Sequence, residues 1–375
     1  MTTVIEKTLQ IELFAKELGF DGFGVTRDVS AKSVEKYKNW LSLGYEGKMS
    51  YMRRNVEKRS NLDLVLSEVK SVVCLRTNYL TADKGMEFIH DKEHGDISLY
   101  SLNEDYHDVL AQRHQKLEKK IKEEFSGCRT KPYVDTGPIL EKPLAKNAGL
   151  GWIGKHTNLV TESVGSYYFL SEILVDAVME LSEPSLDKCG TCRSCIDICP
   201  TQAIVAPYVL DSRKCISYLT IELKGVIPLK FRKAMGNHIY GCDDCQVVCP
   251  WNSFAVKTDE ESFRARDGSF QLIELMRLND EAFRKRFKKS PVKRTKRRGL
   301  LRNVAVALGN SGNLSAVSTL IDALSDHEPL IRAHVIWALG ELLGKKALPI
   351  LNETLTNEEE DIVKNEITLV QQHYS

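Results

Sequence analysis

The chain has 375 residues, 42% of them hydrophobic and 27% charged, with a formal net charge of +1. That length exceeds what one hydrophobic core usually organises, so two or three domains are expected, and the composition is ordinary for a soluble globular protein. A balance this close to neutral excludes a molecule-wide field for nucleic acid, so any such affinity must come from a local patch.

Met1 to Lys7 carry no basic region followed by an apolar run, so no signal peptide is expected. No stretch approaches the roughly 18 uninterrupted apolar residues of a membrane helix. Ten cysteines in a chain without an export signal read as metal ligands more than as a disulfide framework. The expectation is a cytoplasmic protein with no membrane partner, monomeric by default.

Residues 1–180 read as a mixed α/β domain. Ile5, Leu9, Leu13, Ala15 and Leu18 recur at helical spacing, with Gly19 as the stop. Val34–Leu43 predicts a second helix closed by Gly44, and Ser71–Leu75 a buried strand. Tyr106–Phe125 predicts a long helix with a charged face, and Lys131–Asp135 and Tyr167–Leu174 further strands. Helices alternating with strands suggest a sheet covered by helices. Gly149-Leu150-Gly151-Trp152-Ile153-Gly154 satisfies the dinucleotide glycine pattern, but Lys142–Ala148 before it looks helical and the true fingerprint must leave a strand. The remaining readings are a plain structural turn or a place where backbone approaches something flat or large.

Composition shifts near Glu183-Pro184. Residues 181–256 form a cysteine-dense segment with little periodicity, expected to be held by ligands more than by a core. Cys189, Cys192, Cys195 and Cys199-Pro200 have the spacing of a bacterial ferredoxin run, whose fourth cysteine serves the other cluster. Cys242, Cys245 and Cys249-Pro250 repeat the end of that pattern, and Cys215 is the one cysteine between the groups. Crossing over assigns Cys189, Cys192, Cys195 and Cys249 to a first 4Fe–4S cluster and Cys199, Cys215, Cys242 and Cys245 to a second. Structural zinc, the bland alternative, usually comes as two separated pairs. Cys74, in an apolar run, reads as a small buried hydrophobe.

Residues 257–375 predict a helical domain. Arg284–Arg302 holds eleven Lys or Arg and no acid, with Phe283 and Phe287 as core anchors. The stretch Val304–Gly309 returns as Val335–Gly340, and Leu330-Ile331-Arg332 as Ile362-Val363-Lys364, a short period similar to HEAT-type repeats. A charge run is usually a solvated surface, but one without acids suits phosphate contact through Lys293, Arg294, Lys296, Arg297 and Arg298.

Asp105-Tyr106-His107, Tyr133–Pro138 and Gly149–Asn158 occur in this order, ahead of the eight cysteines and the repeats. This ordered set resembles the epoxyqueuosine reductase family along essentially the whole chain. The resemblance implies cobalamin in the N-terminal domain and reduction of the epoxide of epoxyqueuosine to queuosine in the anticodon stem-loop of tRNA. It also implies an external electron donor for the clusters. By family position Asp135 becomes the proton donor and a cofactor contact, with a pKa expected to be raised by burial beside the corrin. Lys58, Ser98, Tyr100, Tyr106, His156 and Asn158 become further cofactor contacts. The Asp-x-His-x-x-Gly cobalamin signature is absent, so no histidine ligand to cobalt is expected that way. Two rivals are a corrinoid iron–sulfur reductive dehalogenase and a non-catalytic two-cluster electron carrier with a helical partner-binding tail.

Overall fold

The computed structural model describes residues 2–86, 91–102, 104–265 and 270–374. The first helix, Val4–Glu17, begins in a reciprocal cap: Thr3 accepts from the Glu6 amide while the Glu6 carboxylate accepts from that of Thr3. Its buried stripe is Thr8, Ile11 and Ala15, whereas Ile5, Leu9 and Leu13 face solvent. The predicted helix is present, but its apolar residues outnumber the positions its neighbour can cover. Helix Ala31–Ser42 follows, capped by Ser30.

Four strands, β1 (Gly22–Thr26), β2 (Ser71–Asn78), β3 (Thr130–Tyr133) and β4 (Tyr168–Val175), make one sheet in the order β1-β2-β4-β3. Every pairing is antiparallel. Side chains alternate between faces, as strand geometry requires. Val73, Leu75, Ile173 and Val175 pack under the helices Val4–Glu17 and Tyr106–Glu124. Val72, Cys74 and Leu174 pack under Leu144, Ala145 and Ala148 at the helix Glu141–Asn147. The sheet is therefore the middle of three layers. The strand predicted over Lys131–Asp135 stops at Tyr133 because Asp135, at φ 57°, turns out of the ladder.

The cysteine-rich segment is built from single-turn helices, Ser194–Asp197 and Asp244–Val247, and a slightly longer one, Ile216–Ile221. It is not held by ligands alone. One continuous apolar core runs from Ile216, Leu219, Ile239 and Tyr240 through Leu272, Phe283 and Phe287 to Leu300–Leu308 and Val335–Leu339. His238–Tyr240 also pairs in parallel with Asp96–Ile97, which ties this segment to the N-terminal domain.

The tail stacks three long helices, Lys296–Ser311, Pro329–Leu343 and Asp361–Tyr374. The repeat explains itself at its glycines. A Cβ on Gly309 would meet the Trp337 ring at 2.7 Å, and one on Gly340 would meet Val370 at 2.8 Å. Each repeat ends in glycine because the next helix passes too close for a side chain. No helix among the described residues is long and apolar enough to cross a membrane.

Candidate active site and cluster centres

A cavity of about 1180 Å³ opens where the N-terminal domain, the cysteine segment and the basic stretch meet. Asp135, Tyr106 and His107 line one side; Cys199, Cys215, Cys242 and Cys245 line another; Lys293 and Arg294 reach it from the helical domain. None of Cys189, Cys192, Cys195 and Cys249 lies on its walls.

The thiols stand in two quartets. Cys195 feels the charge of Cys249, Cys189 and Cys192, and burial followed by that repulsion pushes it up to about 11. Cys245 feels Cys242, Cys215 and Cys199, and burial followed by their repulsion carries it well above its ordinary value. Burial likewise pushes Cys242 up to about 12. Thiols so crowded and desolvated become thiolate ligands only against a strongly cationic centre, which is the role iron plays. Lys155, at the end of the glycine-rich turn, pins the first quartet's loop by donating to the carbonyls of Gly190 and Cys192 at 2.6 and 2.7 Å. The glycines of that turn approach the chain's own backbone: a Cβ on Gly151 would lie 2.3 Å from the Val160 carbonyl oxygen. The turn is structural, and what reaches the cavity is His156 and Asn158 just beyond it.

On the opposite side Asp105 caps the helix Tyr106–Glu124 and accepts from His107 Nδ1 at 2.7 Å. The other His107 nitrogen stands 3.5 Å from Asp135 Oδ2. The Tyr106 hydroxyl donates to the same oxygen at 2.9 Å, and its ring stacks on Phe169 at 4.2 Å between centroids. Burial would lower the His107 pKa, but Asp105 and Asp135 raise it to about 9, so this imidazole is cationic at neutral pH. Burial would raise Asp105, yet His107 and Lys293 hold it down to about 2. Burial would also raise Asp135, but the nearby His107 imidazole and the hydrogen bond from Tyr106 outweigh it and leave the carboxyl below its ordinary value. The expectation of a raised Asp135 is thereby corrected: the facing imidazolium is stronger than the desolvation.

Ser98 and Tyr100 line the cavity with Tyr106, His156 and Asn158. Ser98 is buried and donates to Asp243. Lys58 does not line it; the lysine is exposed, and Arg59, next to it on the short helix Val56–Ser60, and Asn55, at that helix's N-cap, do. Among the basic residues, Lys293 pairs with Asp105 at 3.0 Å and Arg294 with Glu222 at 2.7 Å, while Lys296 and Arg298 are exposed. Arg297 is a correction. It is buried, paired with Asp326, and donates to the Leu278 carbonyl, so it is committed to the fold.

Sequence reasoning missed the acidic pair Glu141 and Glu172 beside Asp135, and Lys142, which donates to Thr157 O and Asn158 Oδ1 at 3.0 and 3.1 Å. A glutamate inside the apolar run Tyr168–Val175 was the visible signal for that pair.

Family profiles match three stretches of the chain: epoxyqueuosine reductase QueG (DUF1730) over residues 59–136, a 4Fe-4S double cluster binding domain over 188–252, and HEAT repeats over 295–370. The epoxyqueuosine reductase of Xanthomonas campestris pv. campestris is 41% identical over 337 residues, covering 88% of this chain and 95% of that protein. The crystal structure of a selenomethionine-labeled epoxyqueuosine reductase superposes with a TM-score of 0.92 at 30% identity, covering 100% of both chains. Another, of an epoxyqueuosine reductase with an epoxyqueuosine-modified tRNA-Tyr stem loop, superposes with a TM-score of 0.90 at 30% identity, covering 99% of both. The chain belongs to the epoxyqueuosine reductase family.

Proposed function

We infer that this chain reduces epoxyqueuosine to queuosine in the anticodon stem-loop of tRNA, with electrons from an external donor passed through two 4Fe–4S clusters and cobalamin. The observation that carries this reading is the single cavity that has a thiol quartet on one wall, Asp135 on another and basic residues beside them. Its size exceeds the roughly 300–1,000 Å³ of ordinary small-molecule pockets and suits a macrocycle together with a nucleotide. Family membership weighs against both rivals.

Cys189, Cys192, Cys195 and Cys249 hold the first cluster in this reading, and Cys199, Cys215, Cys242 and Cys245 the second. The second borders the cavity, so the donor docks on the side of the first. Ser98, Tyr100, Tyr106, His156 and Asn158 would hold cobalamin, which would supply electrons at the epoxide carbon. The chain's own residues manage protons and position. Asp135, whose carboxyl is ionised at rest, passes a proton from the cationic His107 to the epoxide oxygen. The Tyr106 hydroxyl holds its carboxyl in place at 2.9 Å, and His107, with its nitrogen 3.5 Å away, is the cation that renews the proton. Lys293, Arg294, Lys296 and Arg298 meet tRNA phosphates. The protein works as a cytoplasmic monomer.

The test is Asp135→Asn, which keeps the shape and removes the acid. Iron content and cobalamin occupancy should survive, while single-turnover reduction of epoxyqueuosine tRNA falls by about 10²–10⁴, the range of a lost general acid. Near wild-type turnover at full cobalamin occupancy removes Asp135 from the chemistry.

A further inference from the structure

Glu172 lies in the middle of β4 with no exposed surface. It pairs across the sheet with Cys74 on one side and Tyr133 on the other, on the face that also carries Leu174. No N–H or O–H among the described residues donates to either carboxyl oxygen. An ionised carboxylate in such a place is costly. The group that reaches it is the Glu141 carboxyl, projecting from the first turn of the helix Glu141–Asn147. Two neighbouring carboxyl groups in a dry interior resist ionising together, which favours keeping one proton on the pair.

The surrounding charges agree. Burial, then the negative charge of Asp135, raises Glu141 to about 8, and burial with Glu141 beside it carries Glu172 well above the ordinary range. The other titratable groups facing the pair are Lys142 on the same helix, the Cys74 thiol on β2, Tyr106 on the helix Tyr106–Glu124 and Asp135 on the loop after β3. Lys142, the one cation of this set, lowers Glu141 but does not overcome its burial.

Glu141 Oε1 makes a second contact: it accepts the backbone N–H of Asp135 at 2.8 Å. Asp135 is in the left-handed region, at φ 57°. A side-chain-bearing residue stays there when its surroundings hold it. We propose that Glu141, backed by Glu172, is a positioning residue for the reaction: a latch that holds the Asp135 loop toward the cavity by accepting its backbone N–H. This proposal rests on the reading of Asp135 as proton donor.

The experiment uses full-length protein loaded with both clusters and cobalamin, and reads two quantities. The first is amide hydrogen exchange of the peptide spanning 133–138, with the β2 peptide as fold control. The second is the split between kcat and KM for epoxyqueuosine tRNA. Glu141→Ala removes the acceptor, so exchange in 133–138 should rise about ten-fold, the worth of one hydrogen bond, with β2 unchanged. kcat should fall and KM stay within about two-fold, since substrate affinity does not use the latch. Glu141→Gln keeps a neutral acceptor and should match wild type in both readouts. If Glu141→Ala does not fold, Glu141→Asp, which draws the carboxyl back by one methylene, should show the same rise in exchange.

Unchanged exchange in whichever of Glu141→Ala and Glu141→Asp folds overturns the latch. So does a Glu141→Gln that keeps loop protection but loses kcat, which would make Glu141 itself the source of a proton. Asp135→Asn in the same assay separates the two claims. If that variant turns over normally, the proton-donor reading fails, while the exchange data still judge the latch.

Discussion

Asp135 illustrates how a residue's neighbours override its type. A carboxyl facing a large cavity is expected to hold its proton through desolvation, yet His107 and the Tyr106 hydroxyl favour the charged form and win. The proton is displaced onto the neighbours: His107 keeps one up to about pH 9, and Glu141 up to about 8. Linkage makes the second testable. Glu141 has an ordinary pKa of 4.5 when unfolded and about 8 when folded, so the folded protein binds the extra proton between those values. That contribution is fully present below pH 4.5 and is lost as pH rises through 8. Glu141→Gln is neutral throughout and lacks it. Its stability relative to wild type should therefore improve steadily between about pH 5.5 and 8, read as the anaerobic unfolding midpoint of each protein. A difference that stays constant over this range would mean that Glu141 is already ionised in the fold.

At the scale of elements, the basic stretch divides into two jobs that its sequence does not distinguish. Arg302 is buried and donates to the carbonyls of Leu219, Leu223 and Gly225, tying the tail to the cysteine segment. Arg297 closes a buried pair with Asp326. Lys296 and Arg298, adjacent in sequence, are exposed. Helical rotation of about 100° per residue separates Arg298 from Arg297, and Lys296, at φ 59°, turns away just before the helix settles. Arg297→Ala should lower stability by about 3 kcal/mol, the usual consequence of leaving one member of a buried pair alone, with little change in tRNA affinity at a temperature where the variant is folded. Lys296→Ala with Arg298→Ala should do the reverse. tRNA binding should weaken, and its log–log salt slope should drop by about 0.7–0.9 for each phosphate contact removed. Equal stability of Arg297→Ala and wild type would return that residue to the RNA surface.

The molecule as a whole is less divisible than its three-part sequence suggests. Cys215 and Cys242 pack against the same apolar core that fills the helical repeats. Arg232 and Glu366, both buried, join the cysteine segment to the last helix at 2.6 Å. A chain ending near residue 265 would strip the cover from the core behind the second thiol quartet. It should bind fewer than the about eight iron atoms that two such clusters need, losing those nearest the cavity first. Iron analysis of the purified truncated protein checks this, and a full complement would show that the ligand segment folds without the tail.

The double-cluster segment, the helical repeat and the order of strands and helices were legible from the sequence because each depends on local spacing. A ferredoxin run positions thiolates within a few residues, and an amphipathic or repeating helix announces its period. The role proposed for Asp135 rests on resemblance, since an aspartate before Gly-Pro is by itself an ordinary turn residue. Lys58 was misplaced by one position on a helix, where the rotation per residue decides which side chain meets the cavity. The pair Glu141–Glu172, the burial of Arg297 and Arg302, and the depressed Asp135 could not be read, because each depends on residues brought together by strand register and helix packing. Local spacing determined what kinds of chemistry the chain carries. Tertiary structure decided which charges face one another, and burial and neighbouring charges then set their protonation.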